Sequence, residues 1–182
     1  MNTQLIKSYI PLWIREIVDG TINTIKWLPV IYKDRNYDYT YTYKVLKHKL
    51  KQQRDYLVHN DLNSDIDQIN RDITICLNLI QRIEDEYYYS EHQDYYRGIT
   101  KILPVPNKPN TYEYKQEIQY ENFSGYYAKY PLIVRRMLQK YPNEDFNSNK
   151  LKLGLYIAYN NHKRAQRLLF KILGERLDHW WD

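Results

Sequence analysis

The chain has 182 residues, 43% of them apolar and 27% charged, and a formal net charge of +5 at pH 7. This length suits one domain with a core large enough to fold alone, and the composition is that of a globular rather than a disordered protein. The single cysteine, Cys76, excludes an intramolecular disulfide, and the sequence contains no apolar run typical of a membrane span or a secretory leader. We therefore expect a cytosolic protein without a membrane partner.

The net charge is unevenly distributed along the chain. Residues 1–60 carry +5, residues 61–98 carry −6 and residues 99–182 carry +6. Basic segments on both sides of an acidic one fit a polyanion-binding face, or oppositely charged segments that pack as neighbours. The 21 tyrosines indicate no function by themselves, because an AT-rich genome favours the codons of Tyr, Asn, Ile and Lys.

Two helices are expected at the start of the chain. Residues 4–19 place apolar side chains on one face, with Pro11 starting or kinking the helix and Gly20 ending it. A shorter apolar helix over residues 21–28 is expected to end at Pro29. The residues that it would bury in the core are Ile22, Ile25 and Leu28.

Two longer helices with matching apolar periods follow. The first begins near Asp38 or Thr40 and ends at about His59, and its buried face would consist of Tyr43, Leu46, Leu50, Gln53 and Leu57. The second extends from Ser64 to about Tyr89, and its buried face would consist of Ile66, Ile69, Ile73, Cys76, Ile80, Ile83 and Tyr87. Ser64 with Asp67 resembles a capping box. Two apolar seams of one period, joined by a short link, predict a long antiparallel helical hairpin.

The pattern changes over residues 94–123. Three prolines exclude a helix there, and apolar residues alternate with polar ones at Tyr112, Tyr114, Ile118 and Tyr120. This alternation predicts a half-buried strand, and so a small β-hairpin or ordered loop at about residues 98–121. Helical periods return at residues 126–141, after a capping Ser148, and near the C-terminus. The expected fold is mainly α: one helical domain over residues 1–182, a bundle built on the helical hairpin.

Catalytic and metal-binding signatures are missing from the sequence. The five glycines are far apart, which argues against a phosphate-cradling loop, and one cysteine excludes a multi-thiolate zinc site. An EF-hand register is matched in part by Asp61, Asn63, Asp65, Asp67 and Asp72. However, Ile66 stands where that loop needs glycine, and Asp72 where it needs glutamate. We therefore expect an acidic helix start, no metal, no cofactor and no enzymatic activity.

The stretch WLPVIYKDRNYDYTYTY at residues 27–43 is the strongest candidate for a binding site. Its polar residues lie between aromatic anchors, and the guanidinium of Arg35 suits a phosphate or a carboxylate. A basic face of the following helix extends the site, and lysines beside tyrosines suit nucleic acid. The candidate ligand-binding residues are Lys33, Asp34, Arg35, Tyr37, Asp38, Lys44, Lys47, Lys51 and Arg54. The structural alternative is an ion pair of Arg35 with Asp34 and Asp38 that pins the helix junction, beside an ordinary solvated lysine face.

Two adjacent tryptophans, Trp180 and Trp181, stand at the C-terminus. Each can bury on the order of 200 Å² of surface, so at least one is expected to dock. The surface could be the core of the chain itself, or a second copy or another partner. Because tryptophan is favoured as an interface anchor, both are candidate interface residues.

Three stretches together resemble a family of uncharacterised small helical proteins encoded by tailed bacteriophages. They are WLPVIYKDRNYDYTYTYKVLKHKL, LNLIQRIEDEYY and LLFKILGERLDHWWD. The residues that carry the resemblance are Trp27, Pro29, Ile31, Tyr32, Asp34, Arg35, Tyr37 and Asp38, with Leu169, Phe170, Lys171, Trp180, Trp181 and Asp182. The resemblance covers roughly half of the chain and implies a phage origin and a helical architecture, with no activity to transfer.

These observations favour a non-enzymatic phage protein that acts by binding in the cytoplasm of the host. The expected ligand is a nucleotide or a nucleic acid, and countering host defence is a role that fits the phage context. The alternative is a protein–protein module, either an inhibitor of a host protein or a component of virion assembly.

Overall fold

The computed structural model describes residues 11–34, 38, 40–60, 65–146 and 149–180. Within these ranges the fold is mainly α, with seven helices and a two-stranded antiparallel sheet, which confirms the predicted fold class. The elements are α1 Leu12–Ile31, α2 Tyr41–Asn60, α3 Ile66–Glu84, α4 Tyr87–Gln93, β1 Tyr96–Pro104, β2 Tyr112–Tyr120, α5 Phe123–Lys129, α6 Pro131–Lys140, α7 Lys150–Arg176 and a 3-10 turn Asp178–Trp180. The chain divides into two compact units, Met1–Ile73 and Thr74–Asp182, and the division falls within α3.

Helix α1 is continuous where the sequence predicted two shorter helices. Gly20 does not end it, because one glycine inside a helix costs about 1 kcal/mol, less than nucleating a second helix. Pro29 lies in the last turn, where its missing N–H removes a single bond, and the helix ends two residues later at Ile31. The prediction that its apolar residues form core is wrong, since the exposed fractions are 44%, 64% and 50% for Ile22, Ile25 and Leu28.

Helices α2 and α3 bury most of the faces that the sequence predicted. The buried residues of the two seams are Tyr43, Leu50, Gln53 and Leu57 on α2, and Ile69, Ile73, Cys76, Ile80 and Ile83 on α3. Helix α1 contacts α2, and the rings of Trp27 and His48 meet edge to face with centroids 4.9 Å apart. The packing of α2 against α3 as an antiparallel hairpin stays a prediction.

The end of α3 differs from the sequence expectation. The helix ends at Glu84 rather than Tyr89, because Glu86 adopts a left-handed backbone with φ of 48° and a separate helix α4 begins after it. Ser64, the predicted cap at the other end, lies outside the described residues, and Tyr87 of the predicted seam is 39% exposed on α4. A single residue with positive φ therefore divides the segment for which the apolar spacing predicts one continuous helix.

The predicted β-hairpin is confirmed. Strands β1 and β2 pair in antiparallel register, with Tyr96 opposite Tyr120 at the base. Two consecutive Pro-Asn steps form the link, in which Asn107 and Asn110 adopt φ of 65° and 60°. Proline followed by a residue with positive φ is the signature of a type II turn, and asparagine tolerates that backbone well.

The half-buried pattern predicted for β2 is wrong. Tyr112 and Tyr114 are 60% and 74% exposed, and Ile102, which is paired with Tyr114, is 59% exposed. At the base of the hairpin, in contrast, Tyr120 packs against the aromatic core of its unit. The alternation correctly predicts a strand, but within the described residues its apolar face is exposed along most of its length.

An aromatic core joins α5, α6 and α7 within the Thr74–Asp182 unit. Its buried members are Phe123, Tyr126, Ile133, Met137, Phe146, Leu153 and Ile157. The single helix predicted over 126–141 is two, because Tyr130 leaves the helical backbone and Pro131 starts α6 at a position where a proline N–H is not needed. Helix α7 runs unbroken through Asn160 and Asn161. Its cap is Asn149, whose side chain accepts the Lys152 N–H at 3.2 Å, while the predicted cap Ser148 lies outside the described residues.

Candidate functional site

The binding segment predicted from the sequence lies only partly within the described residues, since Arg35 and Tyr37 fall outside them. Lys33 and Asp34 are exposed just after α1. An open groove of about 460 Å³ lies where α1 ends and α2 begins, and the described residues that line it are Pro29, Val30, Lys33, Asp38, Tyr41 and Lys44. The structure therefore brings three predicted site residues to one groove: Lys33, Asp38 and Lys44.

Asp38 has a structural role in this groove. Its Oδ1 accepts a hydrogen bond from the Thr40 hydroxyl and another from the Thr40 N–H at 3.0 Å. The bond from the hydroxyl is the main reason why the pKa of the Asp38 carboxyl is lowered, with the backbone bond and nearby Lys44 adding to it against the effect of burial. The Asp38 carbonyl also accepts the Tyr41 N–H at 3.0 Å. These bonds fix the start of α2, which favours the helix-junction interpretation of this aspartate.

The predicted basic face of α2 is present. Its four residues remain at least partly open to water: Lys44, Lys47, Lys51 and Arg54. The Lys44 ammonium lies 5.1 Å from the centroid of the Tyr41 ring, and Arg54 lies 3.7 Å from the carboxylate of Asp55. The face is a row of cations along one helix, and one of them, Arg54, is already close to the carboxylate of Asp55.

A more strongly cationic site, which the sequence reasoning missed, lies between α6 and α7. It is a cleft of about 110 Å³ with the buried Ile133 at its floor. The basic side chains that line it are Arg136 of α6 and Lys163, Arg164 and Arg167 of α7. Tyr156, Tyr159 and Asn160 complete the lining. No carboxylate stands among the described residues that form this cleft.

Helical spacing and a buried seam position these side chains. Four lining residues recur every three or four positions on α7 and so share one face: Tyr156, Asn160, Lys163 and Arg167. Helix α6 is held against α7 because Ile133 and Met137 belong to the same buried cluster as Leu153 and Ile157. Arg136, three residues after Ile133, therefore reaches the cleft from the opposite wall.

The charge of this site is largely uncompensated. Helices α6 and α7 together carry ten Lys and Arg residues and a single acid, Glu175, which lies 3.8 Å from Lys171. Within the described ranges, Arg136, Arg164 and Arg167 make no salt bridge. Cations that line one cleft without a counter-charge raise the local positive potential, so an anion bound there would relieve their mutual repulsion.

The size and the lining of the cleft suit a phosphate group. A volume of about 110 Å³ exceeds the roughly 30 Å³ share of one water, but is far below the roughly 300 Å³ of a small-molecule pocket. Guanidinium groups bind phosphate oxygens in bidentate geometry. Tyr159 is 50% exposed beside the cleft, and the Lys163 ammonium lies 5.8 Å from the centroid of its ring. The arrangement can hold one phosphate with its base outside, and the ten-to-one excess of cations was the sequence signal for it.

The structure corrects the prediction that Trp180 is an interface residue. Its side chain is 1% exposed in the 3-10 turn after α7, which contacts α7 itself. Burying the large apolar surface of a tryptophan is strongly favourable, and Trp180 buries it within its own chain. Trp181, the second predicted interface residue, lies outside the described residues.

A second group of titratable side chains is buried in the Thr74–Asp182 unit. Glu91 on α4 is 7% exposed and accepts hydrogen bonds from the Lys129 ammonium and from the Tyr130 hydroxyl at 2.6 Å. Beside it, His92 is 1% exposed, and its Nε2 has no hydrogen-bond partner among the described residues. The rings around His92 are those of Tyr96, Phe123 and Tyr126, at centroid distances of 5.0, 6.1 and 5.7 Å. Because Glu91 is paired and His92 is enclosed by rings, we interpret this group as structural.

The stability of the fold is expected to fall as the pH drops below about 6.5. Burial lowers the pKa of His92, and it likewise lowers the pKa of His162, where Lys163 adds to the effect and Glu86 opposes it. Below the ordinary histidine value of 6.5 the unfolded chain takes up protons that the folded chain refuses, so protonation favours unfolding. Each histidine can contribute up to about 1.4 kcal/mol per pH unit within that window.

Urea unfolding at a series of pH values from 8 to 5 measures this effect. The His92→Gln variant cannot titrate, so its free energy of unfolding should depend less steeply on pH over the same window, even if its absolute stability is lower. An unchanged pH dependence in this variant would mean that His92 is not the residue responsible.

Within the described ranges, no group of three or more His, Cys, Asp and Glu side chains is placed to hold a metal ion. Among the helices of the same ranges, none is both long and apolar enough to cross a membrane. Comparisons with protein-family models, with curated proteins and with solved structures find no match. The chemistry of the sites described above is therefore the basis for inferring a function.

Proposed function

We propose that this protein binds single-stranded nucleic acid through the cleft between α6 and α7. The observation that carries the proposal is the lining of that cleft, in which Arg136, Lys163, Arg164 and Arg167 converge without a carboxylate among the described lining residues. A backbone phosphate would occupy the cleft and accept hydrogen bonds from the guanidinium groups. The exposed ring of Tyr159 would stack on the adjacent base, a contact that tolerates any sequence.

A polymer fits this surface better than a free nucleotide. The cleft of about 110 Å³ admits a phosphate but not a whole nucleotide. Further cations continue along α7, a helix of 27 residues that spans about 40 Å. They include Lys171 toward its C-terminal end and Lys150 in its first turn, where the neighbouring Lys152 is already paired with Glu144. Successive phosphates of one strand could therefore meet cations at several points along the helix.

The resemblance to phage-encoded proteins suggests where such binding would take place. A phage protein with this activity would act in the cytoplasm of the infected host, on nucleic acid of the phage or of the host. Interference with a host defence that uses nucleic acid is one role consistent with that location. This part of the proposal rests on the sequence resemblance, whereas the binding itself rests on the cleft.

Fluorescence anisotropy with a labelled single-stranded oligonucleotide of mixed sequence, at rising salt concentration, tests the proposal. Engagement of three or four phosphates predicts that log affinity falls against log salt with a slope of about −2 to −3. Single strands should bind more tightly than a duplex of the same sequence, because only unstacked bases reach Tyr159. The Tyr159→Leu variant should weaken binding while leaving the salt slope unchanged.

Two results would contradict the proposal. Absence of binding at low salt, or an affinity that does not depend on salt, would show that the cations of the cleft do not contact phosphates. Equal competition by a nucleoside triphosphate and by the oligonucleotide would instead favour a nucleotide site, the other ligand class expected from the sequence.

A second candidate function is a protein–protein module, and the β-hairpin is the observation that favours it. Ile102, Tyr112 and Tyr114 form part of one face of the sheet and are 59%, 60% and 74% exposed. Aromatic residues on an exposed apolar face are typical of protein-binding surfaces. Affinity capture with and without alanine at Tyr112 and Tyr114 would distinguish this candidate, because those changes leave the basic cleft intact.

A further inference from the structure

Helix α1 carries an apolar surface that the described part of the chain leaves exposed. None of its 20 residues, all of them described, is buried. Eight large apolar residues of α1 are 44–73% exposed: Leu12, Trp13, Ile17, Val18, Ile22, Ile25, Leu28 and Ile31. Exposed apolar patches of this size on a folded protein mark interaction surfaces.

The composition of α1 strengthens this point, because the helix is intrinsically weak. Nine of its 20 residues are β-branched, and Gly20 and Pro29 lower the helix propensity further. Most helical stability in proteins comes from packing of an apolar face rather than from propensity. A helix with this sequence therefore needs a cover on that face.

The open face is distinct from the side that contacts α2. At 100° per residue, the exposed apolar residues other than Leu12 fall within one half of the helix circumference. The four charged residues of α1 all fall on the other half: Arg15, Glu16, Asp19 and Lys26. Trp27, which meets His48 of α2, also projects away from the middle of the open face. An uncharged apolar surface thus runs along the whole helix beside the existing contact.

We propose that this face pairs with the same face of a second copy of the chain, with the two α1 helices antiparallel and crossing at Thr21. The apolar positions are symmetric about that residue: the exposed Ile17 and Ile25 lie four residues to either side, and the half-buried Ile14 and the exposed Leu28 lie seven residues to either side. In a twofold antiparallel pair, Ile17 of one copy would contact Ile25 of the other, and the reverse contact would form as well.

Small residues at the centre of α1 allow two helices to approach closely. Thr21 stands at the proposed crossing, and its side chain is shorter than those of Ile17 and Ile25 on either side. The hydroxyls of Thr21 and Thr24 donate to the carbonyls of Ile17 and Gly20 at 2.7 and 2.8 Å. Both threonines therefore bring satisfied polar groups to the interface, as small residues do where helices cross closely.

The available area matches what a stable pair needs. Seven exposed side chains with on the order of 100 Å² open to water each provide roughly 700 Å² per copy, close to the roughly 800 Å² per partner of a standard interface. A lipid surface is the less suitable occupant. Helices that lie on membranes carry a cationic polar face, whereas the polar side of α1 has two basic and two acidic residues and no net charge.

Analytical ultracentrifugation of the full chain tests this inference, which does not depend on nucleic-acid binding. The wild-type chain should form dimers. Ile17→Lys and Ile25→Glu should each raise the dissociation constant at least about tenfold, because each places unpaired charges in the apolar interface. The double variant with both changes should recover much of the dimer, since Lys from one copy would then meet Glu from the other. Asn23→Lys, on the polar side of α1, is the matched control and should dimerise like the wild type.

Circular dichroism of each variant establishes that it is folded. A monomeric wild-type chain would overturn the inference, and so would dimers that persist unchanged in both single variants. Monomeric single variants without recovery in the double variant would overturn the antiparallel crossing, because a parallel pair places like charges together. A monomeric chain that binds lipid vesicles would identify a membrane surface as the occupant and overturn the second copy.

Discussion

Replacing both Arg136 and Arg164 by glutamate is expected to weaken oligonucleotide binding by at least about a hundredfold at moderate salt. The two arginines stand on opposite walls of the cleft, and each can form charge-assisted hydrogen bonds to the same phosphate. Hydrogen bonds to charged groups contribute about 1.5–3 kcal/mol each, and the introduced carboxylates would also repel the phosphate. The salt dependence should become shallower as well, because fewer counterions are released.

The matched control changes the basic face of α2 by the same charge. Lys44→Glu with Lys51→Glu alters two exposed lysines of the site that the sequence predicted, and shifts the net charge of the chain equally. If the proposal is right, this variant loses only a modest share of the affinity through the weaker overall field. A larger loss in this variant than in the arginine variant would place the binding surface on α2 and contradict the cleft.

Substitution of Gly154 by alanine is expected to destabilise the fold by about 2 kcal/mol or more, because overpacking a dense core typically costs about 1–3 kcal/mol. A Cβ at this position would lie 2.0 Å from Nε2 and 2.3 Å from Cδ2 of His92, and 3.0 Å from Cζ of Phe123. The His92 ring has no free space to enter, since it is buried among aromatic rings. Thermal unfolding followed by circular dichroism should show a midpoint lower by roughly 4–8 °C.

Gly174 offers the control within the same helix. A Cβ there would meet no atom within 4 Å, so Gly174→Ala should leave packing unchanged and gain about 0.5–1 kcal/mol from the better helix propensity of alanine. The two substitutions are chemically identical but should change stability in opposite directions. If both variants were equally stable, the close contact of α7 with His92 would have to be absent in solution.

Local signals in the sequence predicted element types well and element boundaries less well. The seam of α3 follows from the 3-4 spacing of Ile69, Ile73, Cys76 and Ile80, and alternation with Pro-Asn turns predicted the hairpin. Gly20 and Pro29 are typical of helix ends, but at these positions each costs less free energy than the helix gains by continuing. The helix breaks at Glu86 because one backbone torsion there is positive, and the spacing of apolar residues does not predict such a torsion.

The candidate site shows more clearly what patterns within one segment of the sequence cannot predict. The aromatic and charged residues of 27–43 suggest a site because they are adjacent in sequence, but Asp38 among them organises the start of α2. Arg136 and Arg164 are 28 positions apart and meet only because two helices pack through Ile133 and Ile157. No spacing rule links residues on separate helices. The sequence shows the excess of cations in this part of the chain, but it does not show that four of these side chains line one cleft.

The mainly helical class, the hairpin insertion and the apolar faces of α2 and α3 all follow from the sequence, because they depend on periodicity and turn chemistry within short segments. Which of the apolar faces are covered depends instead on tertiary packing. It left α1 and the outer part of the hairpin open, and it enclosed Trp180 and His92. Burial and charge convergence depend on which distant segments pack together, and the free energy of that packing is a property of the whole fold rather than of any one segment.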